Sequence, residues 1–570
     1  MTEPPVSRTG GAILVAARDR AAEIASAKSP ATAAALALGA CGLWLLVAGA
    51  TTLWDRDEPR FARAAVEMLR SGDLLVPTYE GALRPHKPIL VYWLMAGAMR
   101  VLGPTPLAAR LHSPVAAALT LLLVYQAGRT LFSARAGLVA AALLAASPLL
   151  LLEATAATTD AVLLLCCTGA LAVLADAMTR GTGRRHLFLF AAALALAQLA
   201  KGPVGLAVPV LSLLAAVLLS RRSPALAPRT TRAFLLAAAA SLAVFLVWAI
   251  PADAATKGRL FAEGFGRQVV GRSLAPMEGH GGRFLVSLPY YLPVIAIGFL
   301  PGTLFLPGAL SALGGGRLGT SDRNPRALLL GWIAAPLLLF TMVATKLPHY
   351  ALPIWPALAL ACAGVLDAAR QGRLAPPDLL WLRRGVWLYA PLAAGAVFAC
   401  AILPWRLGLD ALKLPGLLLA GLAGVSAVAG VADHLRGRSE RGAVVLVGGS
   451  AAMTLVVALT VLPVLESMKP VPRLAAAVRA AGAAAAPLAT CGFEEPSLTF
   501  ASGAAEVTHL RAAAEVGVWA RAGGDGVLVT TRSELARLAT LPLTEIASAE
   551  GWNVAKGQRV ELVALRRLSR

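Results

Sequence analysis

The sequence predicts an all-α polytopic membrane protein that carries a small α/β domain at its C-terminal end. Hydrophobic residues make up 58% of the 570, above the roughly 45–50% of an ordinary globular protein, and mean hydropathy is +0.70. Apolar runs able to cross a hydrocarbon core of about 30 Å, some of them short or tilted, recur up to residue 464. Arginines gather in alternate connections between these runs, the pattern by which a polytopic chain fixes its sidedness.

Residues 1–31 mix Glu3, Arg8, Arg18, Arg20, Glu23 and Lys28 without a clean apolar run, unlike a cleaved signal peptide. They read as a cytoplasmic segment, followed by a retained first span from Thr32 to Leu53. Further spans fall near 107–130, 135–153, 160–178, 187–200, 203–220, 233–250, 284–310, 328–345, 348–366, 386–404, 414–432 and 443–463, about thirteen in all. Arg129 and Arg135, then Arg180, Arg184 and Arg185, then Arg221, Arg222, Arg229 and Arg232 mark successive cytoplasmic connections. Arg317, Arg323 and Arg326, then Arg370, Arg373, Arg383 and Arg384, then Arg436, Arg438 and Arg441 continue the rhythm.

The run Ile89 to Leu102 is too short for a span and contains Arg100, so it reads as a helix lying at the interface. Counting it as a span would invert the arginine pattern downstream. The membrane domain is therefore 32–464, with a first outer loop at 54–106 and a large one at 252–283. From 465 to 570 the apolar richness fades, and Gly526-Val527-Leu528-Val529-Thr530 and Val560-Glu561-Leu562-Val563-Ala564 read as strands of a small α/β domain on the outer face.

The formal net charge of +21 does not point to nucleic acid, because the cations are scattered between apolar runs rather than gathered on one domain. Cys41, Cys166, Cys167, Cys362 and Cys400 sit in apolar segments and Cys491 stands alone in the tail, a spacing that suits neither a disulfide framework nor a metal.

The outer pieces hold the residues suited to chemistry. An Asp at mid-bilayer costs about 2.5–3.5 kcal/mol, so Asp57 and Glu58 in Trp54-Asp55-Arg56-Asp57-Glu58-Pro59-Arg60 are expected at the membrane face. Asp followed by Glu and Pro also starts a helix well, and one residue can cap and react. Lys87-Pro88 turns the loop into the interfacial helix, where a Lys either snorkels to lipid or holds a lipid phosphate. Asp160 follows Thr158-Thr159 at an outer helix start and is open to N-cap service or to catalysis. The loop 252–283 carries Lys257, Arg259, Arg267, Arg272 and Arg283 with seven glycines that let it move, a cation excess that suits an anionic ligand. Lys346 joins two spans on the same face, and His280 and His349 are lone histidines for which no metal is expected.

Together these residues resemble the lipid A aminoarabinose transferase family and the wider polyprenyl-phosphate-sugar transferases of GT-C fold. The matching pieces are Asp57-Glu58-Pro59-Arg60, Ser71-Gly72-Asp73, Lys87-Pro88 with Tyr92-Trp93, Asp160, Lys201-Gly202-Pro203, Tyr290-Tyr291-Leu292-Pro293 and Lys346-Leu347-Pro348 with Tyr350, in the family's order over about 50 to 360.

The resemblance implies an undecaprenyl-phosphate-linked sugar donor, lipid A or another outer-leaflet acceptor, and a bacterial inner membrane with the site on the periplasmic side. It implies Asp57, Asp160 and Glu58 as the acidic residues, and Lys87, Arg272, Arg60, Lys201, Lys346 and Tyr350 around the lipid phosphate. His86 departs from the family pattern, in which a Glu usually precedes Lys-Pro and can join a loop histidine on zinc; no metal or other cofactor is expected here. The implied reaction is a single displacement with inversion, in which Asp57 acts as base or positions the sugar. A lipid or solute transporter is the alternative, but transporters place ionisable groups near mid-membrane, often in repeated halves. A nonenzymatic scaffold would leave Asp57, Lys87 and Asp160 on one face without a task.

Overall fold

The computed structural model describes residues 30–220, 226–275, 287–318, 325–538 and 541–567. Among them, eight helices are long and apolar enough to cross a membrane: Pro30–Gly49, Pro106–Leu131, Asp160–Arg180, Pro228–Ala255, Pro348–Arg370, Pro376–Arg406, Asp410–Leu435 and Ser439–Ser467. Ala134–Ala145 and Pro148–Ala154, bent by 70° at their junction, make a ninth span if taken as one.

The remaining apolar runs are helical but shorter, charged or broken. Arg184–Lys201 carries three cations, while Pro203–Leu219 and Arg326–Met342 have 17 residues each. The run near 284–310 is cut into Leu288–Tyr290, Tyr291–Gly298, Gly302–Leu304 and Leu306–Gly314, as expected where Pro289, Pro293, Pro301 and Pro307 remove backbone donors.

The core runs through Pro348–Arg370, whose apolar window is wholly buried, and Asp160–Arg180. Small residues bring helices together there. A Cβ on Gly128 would come 2.6 Å from Gly137 Cα, so the helices on either side of Ser133 touch backbone to backbone.

The first outer loop forms the helix Asp57–Ser71, a two-stranded hairpin of β1 (Thr78–Tyr79) and β2 (Ala82–Leu83), and the helix Leu90–Leu102. That last helix buries Val91, Tyr92, Met95, Ala96 and Met99 while exposing Leu94, Val101 and Leu102, the two faces an interfacial helix needs. The C-terminal segment forms a five-stranded sheet of β3 (Leu488–Cys491), β4 (Val507–Leu510), β5 (Val527–Thr531), β6 (Leu543–Asn553) and β7 (Gln558–Arg567), in the order β4-β3-β5-β7-β6. β3 runs parallel to β4 and β5, and β7 antiparallel to β5 and β6. The two strand-like runs of the sequence fall on β5 and β7.

This domain docks on the first loop. Asp55 Oδ1 accepts the Ser497 N–H at 2.7 Å, Arg63 donates to the Ala504 and Ala505 carbonyls at 2.5 Å each, and Glu80 accepts from Thr499 Oγ1 at 2.7 Å and lies 2.9 Å from His509 Nε2.

Candidate active site

The acidic stretch splits into two functions at adjacent positions. Asp57 opens its helix with an exposed side chain, where the positive end of the helix dipole favours a carboxylate. Glu58, 5% exposed, accepts from Arg110 Nε at 2.9 Å and Nη2 at 2.6 Å, from the Ala157 N–H at 2.6 Å and from the Trp54 N–H at 2.7 Å. Arg110 also donates to the Ala48 and Thr51 carbonyls at 2.7 Å and to Thr52 O at 3.0 Å. The pair therefore ties the end of the first span to the 154–159 turn and fixes where Asp57 projects.

Glu67 does the same for the hairpin. Burial opposes its charge, yet hydrogen bonds from Arg63, Thr78 Oγ1 and the Glu80 and Gly81 amides outweigh that and hold its carboxyl below the usual range.

Asp160 begins its helix but caps nothing; its Oδ1 lies 2.5 Å from Lys201 Nζ, and both side chains are only 9% exposed. Lys201 ends the helix Arg184–Lys201, which stops because Gly202 takes a positive φ of 63° and Pro203 starts the next helix. A Cβ on Gly202 would meet Pro88 Cγ at 3.7 Å, so the Lys201-Gly202-Pro203 turn packs on Lys87-Pro88. Glu153 accepts from Thr158 Oγ1 at 3.0 Å and lies 3.8 Å from His349 Nδ1. Asp160, Lys201, Lys87 and Asp57 all stand within electrostatic reach of His349, and Lys201 Nζ lies 5.4 Å from the centre of the Tyr350 ring.

This cluster borders a mainly apolar cavity of about 330 Å³, at the small end of ligand sites. His86, Lys87, Lys201 and Tyr350 line it together with apolar side chains from the helix Pro228–Ala255 and the large outer loop, among them Phe245, Trp248, Leu260 and Phe265. The glycines of that loop suggest mobility by composition, but 260–271 form a wide π-helix. Gly264 has a packing reason: a Cβ there would come 2.6 Å from Pro85 O, so its absence lets the loop close over the turn that leads to Lys87.

Of the residues singled out from sequence, Lys87, Lys201 and Tyr350 line the cavity, Asp160 pairs with Lys201, and Asp57 stands within electrostatic reach of His349 without lining the cavity. Glu58 is bound to Arg110 instead, and Lys346 donates to the Phe340, Thr341 and Val343 carbonyls at 3.1, 2.5 and 2.6 Å, which closes the end of the helix Arg326–Met342. Neither lines the cavity, nor does Arg60, which lies within reach of Tyr79. The side chain of Arg272 and the whole of His280 lie outside the described residues. Among the described residues no group of three or more His, Cys, Asp or Glu is placed to hold a metal ion. Sequence reasoning missed Glu153 and Arg110 because each is a single charge at the edge of an apolar run.

The family profile for dolichyl-phosphate-mannose-protein mannosyltransferases matches residues 86–250, which include Lys87, Asp160 and Lys201. Two crystal structures of ArnT from Cupriavidus metallidurans, apo and bound to undecaprenyl phosphate, superpose with a TM-score of 0.73 each. The bound one is 22% identical and covers 93% of this chain and 97% of that one. The fold is thus an all-α polytopic membrane fold of GT-C type with a small C-terminal α/β domain. An undecaprenyl phosphate-alpha-4-amino-4-deoxy-L-arabinose arabinosyl transferase of Pectobacterium carotovorum is 31% identical over 401 residues, covering 68% of this chain and 67% of the relative. The chain belongs to this arabinosyl transferase family. Its homologue in Edwardsiella ictaluri is 29% identical over 322 residues, and the alignment spans only 56% of that relative's length.

Proposed function

We propose that the protein is an inner-membrane glycosyltransferase that moves a sugar from undecaprenyl phosphate to lipid A or another periplasmic acceptor. The observation that carries this is the cavity: Lys87, Lys201 and Tyr350 stand on its wall beside the Asp160 carboxylate, while the rest of its lining is largely apolar. That combination suits a ligand with an anionic head and an isoprenoid tail. The relatives' name and the undecaprenyl phosphate bound by the ArnT of similar fold support the same donor.

The acceptor oxygen attacks the anomeric carbon as the C–O bond to the lipid phosphate breaks, and the phosphate leaves with growing negative charge. Lys87 stabilises that charge, with Lys201 oriented by Asp160, Tyr350 on the same wall and Arg272 from the large loop. Asp57 takes the proton when the acceptor is a hydroxyl, and positions the sugar when the acceptor is an already ionised phosphate. Glu58 holds the Asp57 loop through Arg110, Lys346 holds the turn that presents Tyr350, and Arg60 steadies the first loop near Tyr79. This scheme assigns charge neutralisation to protein cations and calls on no metal or cofactor.

In this reading the chain crosses the membrane thirteen times. The arginine rhythm supports it, with Arg184–Lys201, Pro203–Leu219, the broken segment 288–314 and Arg326–Met342 supplying the crossings beyond the nine of spanning length. Residues 1–31 are cytoplasmic, 32–464 form the membrane domain and 465–570 the periplasmic domain. Purified protein offered undecaprenyl phosphate carrying aminoarabinose, galacturonic acid or mannose, with lipid A as acceptor, tests the proposal. Transfer of one of them, seen as a mass shift of lipid A, is expected; no release of undecaprenyl phosphate from any of the three would overturn it.

A further inference from the structure

A second cavity, of about 210 Å³, lies between the membrane domain and the C-terminal domain. Trp54, Asp55, Lys469, Ser497 and Trp552 line it, with Arg479 and four prolines. It is smaller than the roughly 300–1,000 Å³ of sites for drug-sized ligands and suits one ring-sized unit.

The polar groups there are few and specific. Asp55 spends one carboxylate oxygen on the Ser497 N–H, and burial raises its carboxyl above the usual range against the hydrogen bonds from Ser497 that lower it. Ser497 Oγ is buried and faces the same Asp55 carboxylate, and as a hydroxyl it keeps an acceptor side to satisfy. Lys469 is already spent: its Nζ lies 3.0 Å from Glu466 Oε2, 2.9 Å from Thr52 O and 3.5 Å from the centre of the Trp54 ring. Arg479 is exposed and donates to Ala501 O at 3.2 Å. The cavity thus presents indole walls and a carboxylate with a buried hydroxyl beside it, and its buried cation is engaged. Such a lining suits a ligand with apolar CH faces and neutral hydroxyl groups.

We propose that this cavity is a subsite for one neutral sugar unit of the acceptor, held by Ser497 and Asp55 between Trp54 and Trp552. The assignment to the acceptor rests on the transferase reading above; the binding of a sugar does not. Position in the chain connects the two cavities. Asp55 precedes Asp57 by two residues, and the Trp54 N–H bonds Glu58, so one short segment lines the second cavity at Trp54 and Asp55 and carries Asp57 into the cluster. A sugar held there bears on the segment that places the acid.

The test uses the full chain in lipid nanodiscs with chitobiose as the probe and saturation-transfer NMR as the readout. Binding by the wild type is expected, with Ser497→Ala about three- to tenfold weaker, the loss of about one hydrogen bond. Trp552→Ala is expected to be weaker still, and Lys87→Ala in the donor cavity unchanged. Thermal unfolding identifies a variant that fails to fold, and Ser497→Ala, which removes a single oxygen, keeps the test open if Trp552→Ala does. No binding by the wild type, equal binding by all variants, or loss in Lys87→Ala alone would overturn the subsite. Chitobiose binding without any sugar transfer would overturn the transferase reading and leave the subsite standing.

Discussion

Lys201 Nζ and Asp160 Oδ1 meet at 2.5 Å with both side chains 9% exposed, so two charges at the ends of two helices neutralise each other beside an apolar cavity. Removing one partner leaves the other charged and buried, which costs about 3–5 kcal/mol. Lys201→Met is therefore expected to lower the thermal unfolding temperature, and adding Asp160→Asn to recover much of the loss. If Lys201→Met and the double variant melt together with the wild type, the pair is not buried as described.

Glu58 and Arg110 form the structural counterpart of that pair. With Glu58→Gln, Arg110 and its carbonyl partners stay in place while the charge that balances them is gone, at a cost of about 3–5 kcal/mol. Stability should fall before donor affinity does. Unfolding followed by tryptophan fluorescence checks this, and a variant of wild-type stability that no longer binds donor would move Glu58 into the chemistry.

The pH response of the first loop follows from Glu67. Its folded-state pKa is held below the ordinary 4.5, so the stability it contributes is fully present above about pH 4.5 and is lost as pH falls through the lower folded value. Proteolysis of the Thr78–Leu83 hairpin should therefore rise as pH drops below 4.5 in the wild type. Glu67→Gln should be more susceptible at neutral pH and lack that dependence; an identical pH profile in both would remove Glu67 from this role.

Gly264 predicts a steric effect on the donor cavity. A Cβ 2.6 Å from Pro85 O cannot be accommodated without movement, so Gly264→Ala should push the large loop off the turn that leads to Lys87. Undecaprenyl phosphate affinity is expected to fall about tenfold, equivalent to about 1.4 kcal/mol, with little change in unfolding temperature. Unchanged affinity would mean that the loop does not close on Pro85.

The sequence makes the membrane class and the acidic first loop legible because charge beside an apolar run has few places to go. Lys87 and Lys201 can be picked out because each adjoins a helix end marked by proline or glycine, and Asp160 because it follows Thr158-Thr159 at a helix start. Their convergence cannot be read locally, since it depends on the Gly202 turn packing on Pro88. Glu58 and Lys346 look alike to Asp57 and Lys87 in sequence; only packing shows that one meets Arg110 and the other three carbonyls. Glu153 stays hidden because nothing in Pro148–Ala154 sets it apart from a tolerated polar residue at a span end.

The most direct test of the central claim is single-turnover transfer from the undecaprenyl-phosphate sugar that the wild type accepts to lipid A, followed by mass spectrometry for wild type, Asp57→Asn and Lys87→Ala. A product mass shift is expected in the wild type, with Lys87→Ala slowed at least about 100-fold by loss of charge stabilisation and Asp57→Asn slowed about 100-fold or more where a hydroxyl is the acceptor. Transfer at the wild-type rate by Lys87→Ala would contradict the central claim.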